Sequence, residues 1–195
     1  MLGALAAGCI RSEEVADTPP VYASPPSAVP TAPAQKVNDL RDSSPPLPIY
    51  RIQIDPHFSE DQVARIYGAV EVWQEVLQEV IVLQPISFPV QSEEEEYGWI
   101  KIYPNDIPDC PGCQAFTNWS YTDARTESAI IRMRPDFTGD YFSTLILHEL
   151  GHALGLNHSD PETHSIMYHD PKHAEITCFD RKNVCAMWGC DSNCL

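Results

Sequence analysis

Residues 148–158 read His-Glu-Leu-Gly-His-Ala-Leu-Gly-Leu-Asn-His, and each of five fixed positions in that run has a chemical use. Residues four apart on a helix share one face, so His148 and His152 can turn their imidazoles toward one metal ion. Glu149 stands beside the first of them and can lean toward the metal's open position. Gly155 accepts a positive φ, which lets the chain stop the helix and double back. His158 can then return to the same ion; on an unbroken helix it would lie roughly 9 Å further along the axis than His152. Three protein nitrogens and one water make the coordination of a catalytic zinc, whereas a structural zinc closes its fourth position with protein. The chemistry implied is hydrolysis by a metal-activated water, with Glu149 taking its proton and handing it to the leaving group. With 7 histidines in 195 residues, shuffling would reproduce the full pattern on the order of once in 10⁴ to 10⁵ sequences. A helix carrying unrelated solvated histidines is therefore the much weaker reading.

The motif needs a helix under it and a sheet beside it. The apolar run Tyr141–Leu147 should enter the helix, with Thr138 or Asp140 as its cap. Tyr50–Ile54 alternates like a strand. Ser59-Glu60-Asp61-Gln62 has the form of a capping box and opens a helix to about Leu83, with Val63, Ile66, Val70, Trp73, Leu77 and Val80 as its apolar stripe. Ile86–Val90, Trp99–Tyr103, Ala115–Trp119 and Ala129–Met133 read as further strands. The run Glu93–Glu96 reads as a solvated loop, with calcium or substrate contact as the minor alternative.

The chain resembles the metzincin metalloproteases, whose motif is H-E-x-x-H-x-x-G-x-x-H. Ser165-Ile166-Met167-Tyr168 is similar to their Met-turn, in which Met167 would lie as an apolar floor under the zinc histidines. Ser159, directly after the third histidine, resembles the matrixins within that group. So does the tail from Thr177 through Asp180 to Trp188-Gly189. The resemblance spans about Ile49 to Gly189 and is strongest from Tyr141 to Tyr168. It implies an α+β metzincin-like zincin: a twisted, mostly parallel sheet with an antiparallel edge strand, two long helices in the N-terminal subdomain, and a small irregular C-terminal subdomain with one helix. It also implies one catalytic Zn²⁺ on His148, His152 and His158, Glu149 as general base and acid, and protein or peptide substrates. Extended peptides would add to the edge strand, at Gln114, Ala115 and Phe116. Tyr168 and the loop to Glu175 would help shape the pocket beyond the scissile bond. The chain also departs from the group. Where some metzincins place a zinc-binding Tyr, two residues after the turn methionine, this chain has His169, a candidate extra ligand or, more plainly, an exposed loop histidine. Upstream of the motif the only histidine is His57, so the second, structural zinc of animal matrixins and their inhibitory cysteine segment are not expected. Two competing readings are a catalytically silent surface-binding protein on the same scaffold and a zinc hydrolase of non-peptide amides.

Composition bounds the rest. The chain has 12 basic and 28 acidic residues, a formal charge of −16, which argues against a nucleic-acid partner. The acidic groups offer oxygen ligands enough for Ca²⁺, although no loop has a calcium-binding spacing. Residues 1–9, Met-Leu-Gly-Ala-Leu-Ala-Ala-Gly-Cys, look like the end of a bacterial lipoprotein signal in which Cys9 is cleaved and lipidated, with an undistinguished leader as the alternative. Nine prolines between Pro19 and Pro48 mark residues 10–48 as an extended tether, leaving residues 49–195 as one catalytic domain and a monomer as the expected state. The six cysteines other than Cys9, namely Cys110, Cys113, Cys178, Cys185, Cys190 and Cys194, suit disulfides in an exported protein of the cell envelope or beyond. For Cys110 and Cys113 a structural bridge is preferred, and a second zinc shared with a C-terminal pair is the alternative.

Overall fold

The computed structural model describes residues 8–11 and 47–192, apart from 79, 91, 93, 95, 108, 109, 111, 123, 124, 138, 140 and 171–174. Six strands, β1 (Gly8–Arg11), β2 (Ile49–Ile54), β3 (Val82–Ser87), β4 (Trp99–Pro104), β5 (Cys113–Thr122) and β6 (Arg125–Met133), form one sheet in the order β1-β5-β6-β4-β2-β3. β2 pairs in parallel with β3 and β4, and β4 with β6; β5 returns antiparallel beside β6. Among the described residues three α-helices accompany the sheet: α1 (Glu60–Leu77), α2 (Phe142–Ala153) and α3 (Cys178–Trp188). The arrangement is the α+β, mostly parallel architecture the sequence implied, and its parallel strands carry the apolar residues that a sheet buried under helices needs: Ile52, Ile54, Ile100, Ile102 and Ile131 have no exposed surface.

α1 starts as expected, with Ser59 and Gln62 exchanging both bonds of the capping box. It ends six residues earlier than the apolar pattern suggested, at Leu77, and the following strand begins at Val82 rather than Ile86. The run Val80-Ile81-Val82 explains the shift, because β-branched side chains fit an extended pleated backbone better than a helix. Gln74 fixes the turn: its Nε2 donates to the Ile81 carbonyl at 3.0 Å and its Oε1 accepts from the Leu83 amide at 2.6 Å. Pro85 is tolerated inside β3 because β3 ends the sheet and needs no ladder bonds on one side. Trp73 joins α1 to α2, its indole N–H donating to the Leu147 carbonyl at 2.9 Å.

β5 was expected to be the sheet's bare edge strand. Instead β1 lies antiparallel along it, with Gly8 opposite Thr117, Cys9 opposite Phe116 and Arg11 opposite Cys113. The expected boundary between a leader at residue 9 and a tether from residue 10 falls inside this strand. Residues 8–11 and the chain from Leu47 onward belong to one compact unit, while residues 1–7 and 12–46 lie outside the described residues. No helix among the described residues is long and apolar enough to cross a membrane.

Candidate metal centre

α2 carries the first two histidines and is buried at every position except Ser143. Its N-cap is Tyr141, without a side-chain capping bond; the expected caps Thr138 and Asp140 lie outside the described residues. Its C-terminus closes as the glycine required. Gly155 has φ 98°, its amide bonds the His152 carbonyl at 2.9 Å, and the Leu156 amide bonds the Gly151 carbonyl at 2.9 Å, the paired bonds of a Schellman motif. The reversal returns His158 to the helix.

The donor atoms of His148, His152 and His158 all lie within 4.8 Å of one another. His148 and His152 are almost wholly buried, whereas His158 is exposed. The two buried rings are fixed from behind. His148 Nδ1 lies 2.6 Å from the Ile166 carbonyl and His152 Nδ1 lies 2.7 Å from the Leu156 carbonyl. A carbonyl can only accept, so each Nδ1 carries the proton and each Nε2 presents a lone pair. Both Nε2 atoms, and Oε1 of Glu149, are buried without a hydrogen-bond partner. Such orphaned groups are costly in a packed interior unless something satisfies them, and two imidazole lone pairs beside a third histidine form the donor set of a zinc site. The residues present therefore fit the metal the motif implied. Burial lowers His148 to about 4 and His152 well below its ordinary value, in the latter case with help from the neighbouring histidines. The rings thus stay neutral and able to bind a cation at physiological pH.

Glu149 has no exposed surface. Burial pushes its carboxyl up to about 8 in the absence of a cation, partly opposed by a hydrogen bond from the Thr117 hydroxyl to Oε2. Trp119, two residues along β5, stacks on His152 with ring centroids 5.4 Å apart and planes 10° apart. Strand alternation turns both side chains toward α2. Sequence reading missed this pair, although the signal was there: a polar residue between Ala115 and Trp119 on the inward face of an apolar strand.

The packing of Met167 against α2 also has a readable origin. A Cβ on Gly151 would come within 2.3 Å of Met167 Sδ, so the helix carries glycine where the methionine packs. The turn is real: the Tyr168 amide bonds the Ser165 carbonyl at 3.1 Å, and the Ser159 amide bonds the Met167 carbonyl at 2.9 Å. α3 is capped by Thr177 and Asp180 at one end and by Gly189, in the left-handed region, at the other. Buried Asp180 does more than cap. It accepts from the Thr177 amide at 2.9 Å, from the Ile166 amide at 3.1 Å and from the Ser165 hydroxyl, which ties α3 to the turn under the histidines.

The remaining candidates are more scattered. His169 is exposed, its ring 6.5 Å from that of His158 and 4.2 Å from that of Tyr168. It is not part of the converging group, and its ring lies against that of Tyr168. Gln114, Ala115 and Phe116 lie on β5 where expected, but with β1 beside them; Phe116 packs with Ile107 and Cys113 in a small separate cluster. Residues 171–174 of the expected pocket loop lie outside the described residues. Cys110 pairs with Cys113, and Cys185 with Cys190, which removes the thiolates that a second zinc would have needed. Cys178 is also disulfide-bonded.

Residues 115–189 match the family model for matrixin. This stretch is matrixin-like. It holds β5 from Ala115 onward, β6, α2, the methionine turn and α3, and therefore every group of the candidate centre. Among solved structures, the chain is similar to high choriolytic enzyme 1, a hatching-enzyme zinc protease of the medaka fish Oryzias latipes, at 15% identity over 74% of this chain and 91% of that one, with a TM-score of 0.46. It is also similar to archaemetzincin from Methanopyrus kandleri, at 13% identity over 72% and 96% of the two chains, with a TM-score of 0.45. No curated protein matches the chain. The match over residues 115–189 agrees with the metzincin resemblance of the motif.

Proposed function

We propose that this chain is a zinc-dependent endopeptidase. The observation that carries the reading is the set of three orphaned buried atoms, Nε2 of His148, Nε2 of His152 and Oε1 of Glu149, beside His158. Zinc held by the three histidines would supply Lewis acidity, lowering the pKa of a water and taking up negative charge on a peptide carbonyl oxygen. Glu149 is the general base: its unpartnered Oε1 accepts the water's proton and later delivers it to the leaving amine nitrogen. A cation among the histidines would favour the ionised carboxylate and so offset the burial that pushes Glu149 up. Met167 supports the histidines from below, and Asp180 holds that support in place.

The peptide would lie along β5 at Gln114, Ala115 and Phe116, exchanging backbone hydrogen bonds as an added strand. β1 occupies that edge, so a substrate must displace it. Tyr168 would border the pocket on the far side of the scissile bond. The cysteine bridges suit an oxidising compartment, and lipidation at Cys9 would fasten the protein to an envelope membrane.

The test is incubation of the full chain with a mixed peptide library, with and without a chelator. Chelator-sensitive cleavage is expected, along with one zinc per chain. Glu149→Gln should keep the zinc and lower turnover by roughly 10² to 10⁴-fold. A variant with full activity would sink the assignment of Glu149, and no chelator-sensitive cleavage would sink the endopeptidase.

A further inference from the structure

β5 touches the candidate centre through two inward side chains, and the hydroxyl is the more informative of them. Thr117 has no exposed surface. It is a polar group in an apolar face, with Ala115 and Trp119 on either side of it along that face and both also buried. Such a group needs a partner, and Thr117 finds one: its Oγ1 donates to Oε2 of Glu149. The Glu149 backbone carbonyl, at 3.4 Å, is the more distant acceptor. A hydroxyl has a single proton to give, so the short bond to the carboxylate is the one it makes. The two oxygens of Glu149 are thereby distinguished, with Oε2 bonded and Oε1 buried and unpartnered.

The choice of residue type fits this use. Threonine is stiff about χ1, more so in a strand than an unbranched side chain would be, so the hydroxyl direction is set by the backbone of β5. That backbone is itself fixed on both sides, by Ile131 of β6 and Gly8 of β1. A glutamate side chain has three rotatable bonds, and α2 alone fixes only its root.

We propose that Thr117 is a positioning residue for Glu149: its hydroxyl pins one carboxylate oxygen so that the other faces the reacting water. The inference rests on the endopeptidase reading for its catalytic consequence, but the contact itself can be tested without turnover. Valine has nearly the same shape as threonine and lacks the hydroxyl, so Thr117→Val removes the bond with little change in packing. Zinc content should stay close to that of the wild type, and the unfolding midpoint should fall by only a few degrees, because Oε2 of Glu149 loses its partner. The turnover number should fall about 10- to 100-fold, the loss expected when a reacting group is misplaced by about 1 Å, while KM changes less than about twofold because the residue does not bind substrate. Thr117→Ser should recover most of the loss, since it restores the donor. An unchanged turnover number in Thr117→Val, a loss of zinc or of folding with it, or a serine variant no better than valine would each overturn the proposal. A crystal structure of metal-free Thr117→Val gives the second readout. A Glu149 carboxylate turned away from its wild-type position supports positioning, and one left in place overturns it. If the wild type itself cleaves no peptide, the endopeptidase reading fails and the crystal structure still decides the role of Thr117.

Discussion

Gly151 and Met167 illustrate how closely the centre is packed at the level of single residues. The added Cβ of an alanine would also meet Met167 Cε and Trp73 Cζ2, each at 3.2 Å, so the methionine cannot simply slide toward the tryptophan. Gly151→Ala should destabilise the fold by about 1–3 kcal/mol, the usual cost of overpacking, although alanine is the better helix former. Urea unfolding measures it, and a stabilised variant would show that the floor is looser than these contacts require. The histidines and Glu149 were legible in the sequence because spacing alone places them. Thr117 and Trp119 left only a faint trace, one polar residue between Ala115 and Trp119 on the inward face of the strand, and the steric role of Gly151 left none, because each acts across elements whose register no local pattern states.

At the scale of elements, the end of β2 is secured by a carboxylate. Asp55 accepts from the Val90 amide at 2.8 Å and from the His57 amide at 2.9 Å, and its Oδ1 also lies 2.6 Å from His57 Nδ1. Burial pushes its pKa up, but the bonds from Val90 and His57 outweigh burial and leave it below the ordinary value. A carboxyl with a depressed folded-state pKa contributes stability above its unfolded value, and that contribution is lost as pH falls through the folded one. Asp55→Asn should therefore be less stable than wild type at pH 7, by about 1 kcal/mol. The gap should close as the pH falls below about 4; thermal melts across that range check it, and a gap that persists or widens in acid would contradict the assignment. β1 makes a different prediction. Proline has no amide to give to a ladder and is disfavoured in a paired strand, so replacing Ile10 and Arg11 together by proline should loosen β1 from β5. Peptide cleavage should become faster as the edge is uncovered. Equal rates in the two proteins would mean that β1 does not compete with substrate.

For the molecule as a whole, the metal and the fold should be coupled. The three histidines come from α2 and from the loop beyond it, and the turn supporting them is held by α3 through Asp180. A ligand that binds only the folded state stabilises it, by about 4 kcal/mol when present at a thousand times its dissociation constant. A chelator should accordingly lower the unfolding temperature, and added zinc should restore it; identical midpoints with and without chelator would argue against a site built by the fold. Most of the architecture could be read in advance, since alternation marked β2, short strand-like runs marked β4, β5 and β6, and the matrixin resemblance of the tail from Thr177 marked α3. What could not be read was competition between patterns. Val80-Ile81-Val82 continues the helical stripe of α1, but its β-branching and the pairing of Val82 with Ile49 turn it into the approach to β3. The placement of β1 had no local signal at all, because a four-residue strand is specified by the edge it meets. That edge has a colloidal side as well. A long strand left with unpaired amides is a template for a second copy of the same chain, and β5, at ten residues, is the longest strand described. By lying along part of it, Gly8–Arg11 shields a surface on which molecules could otherwise stack edge to edge, so the segment contributes to solubility whether or not any peptide is ever cut.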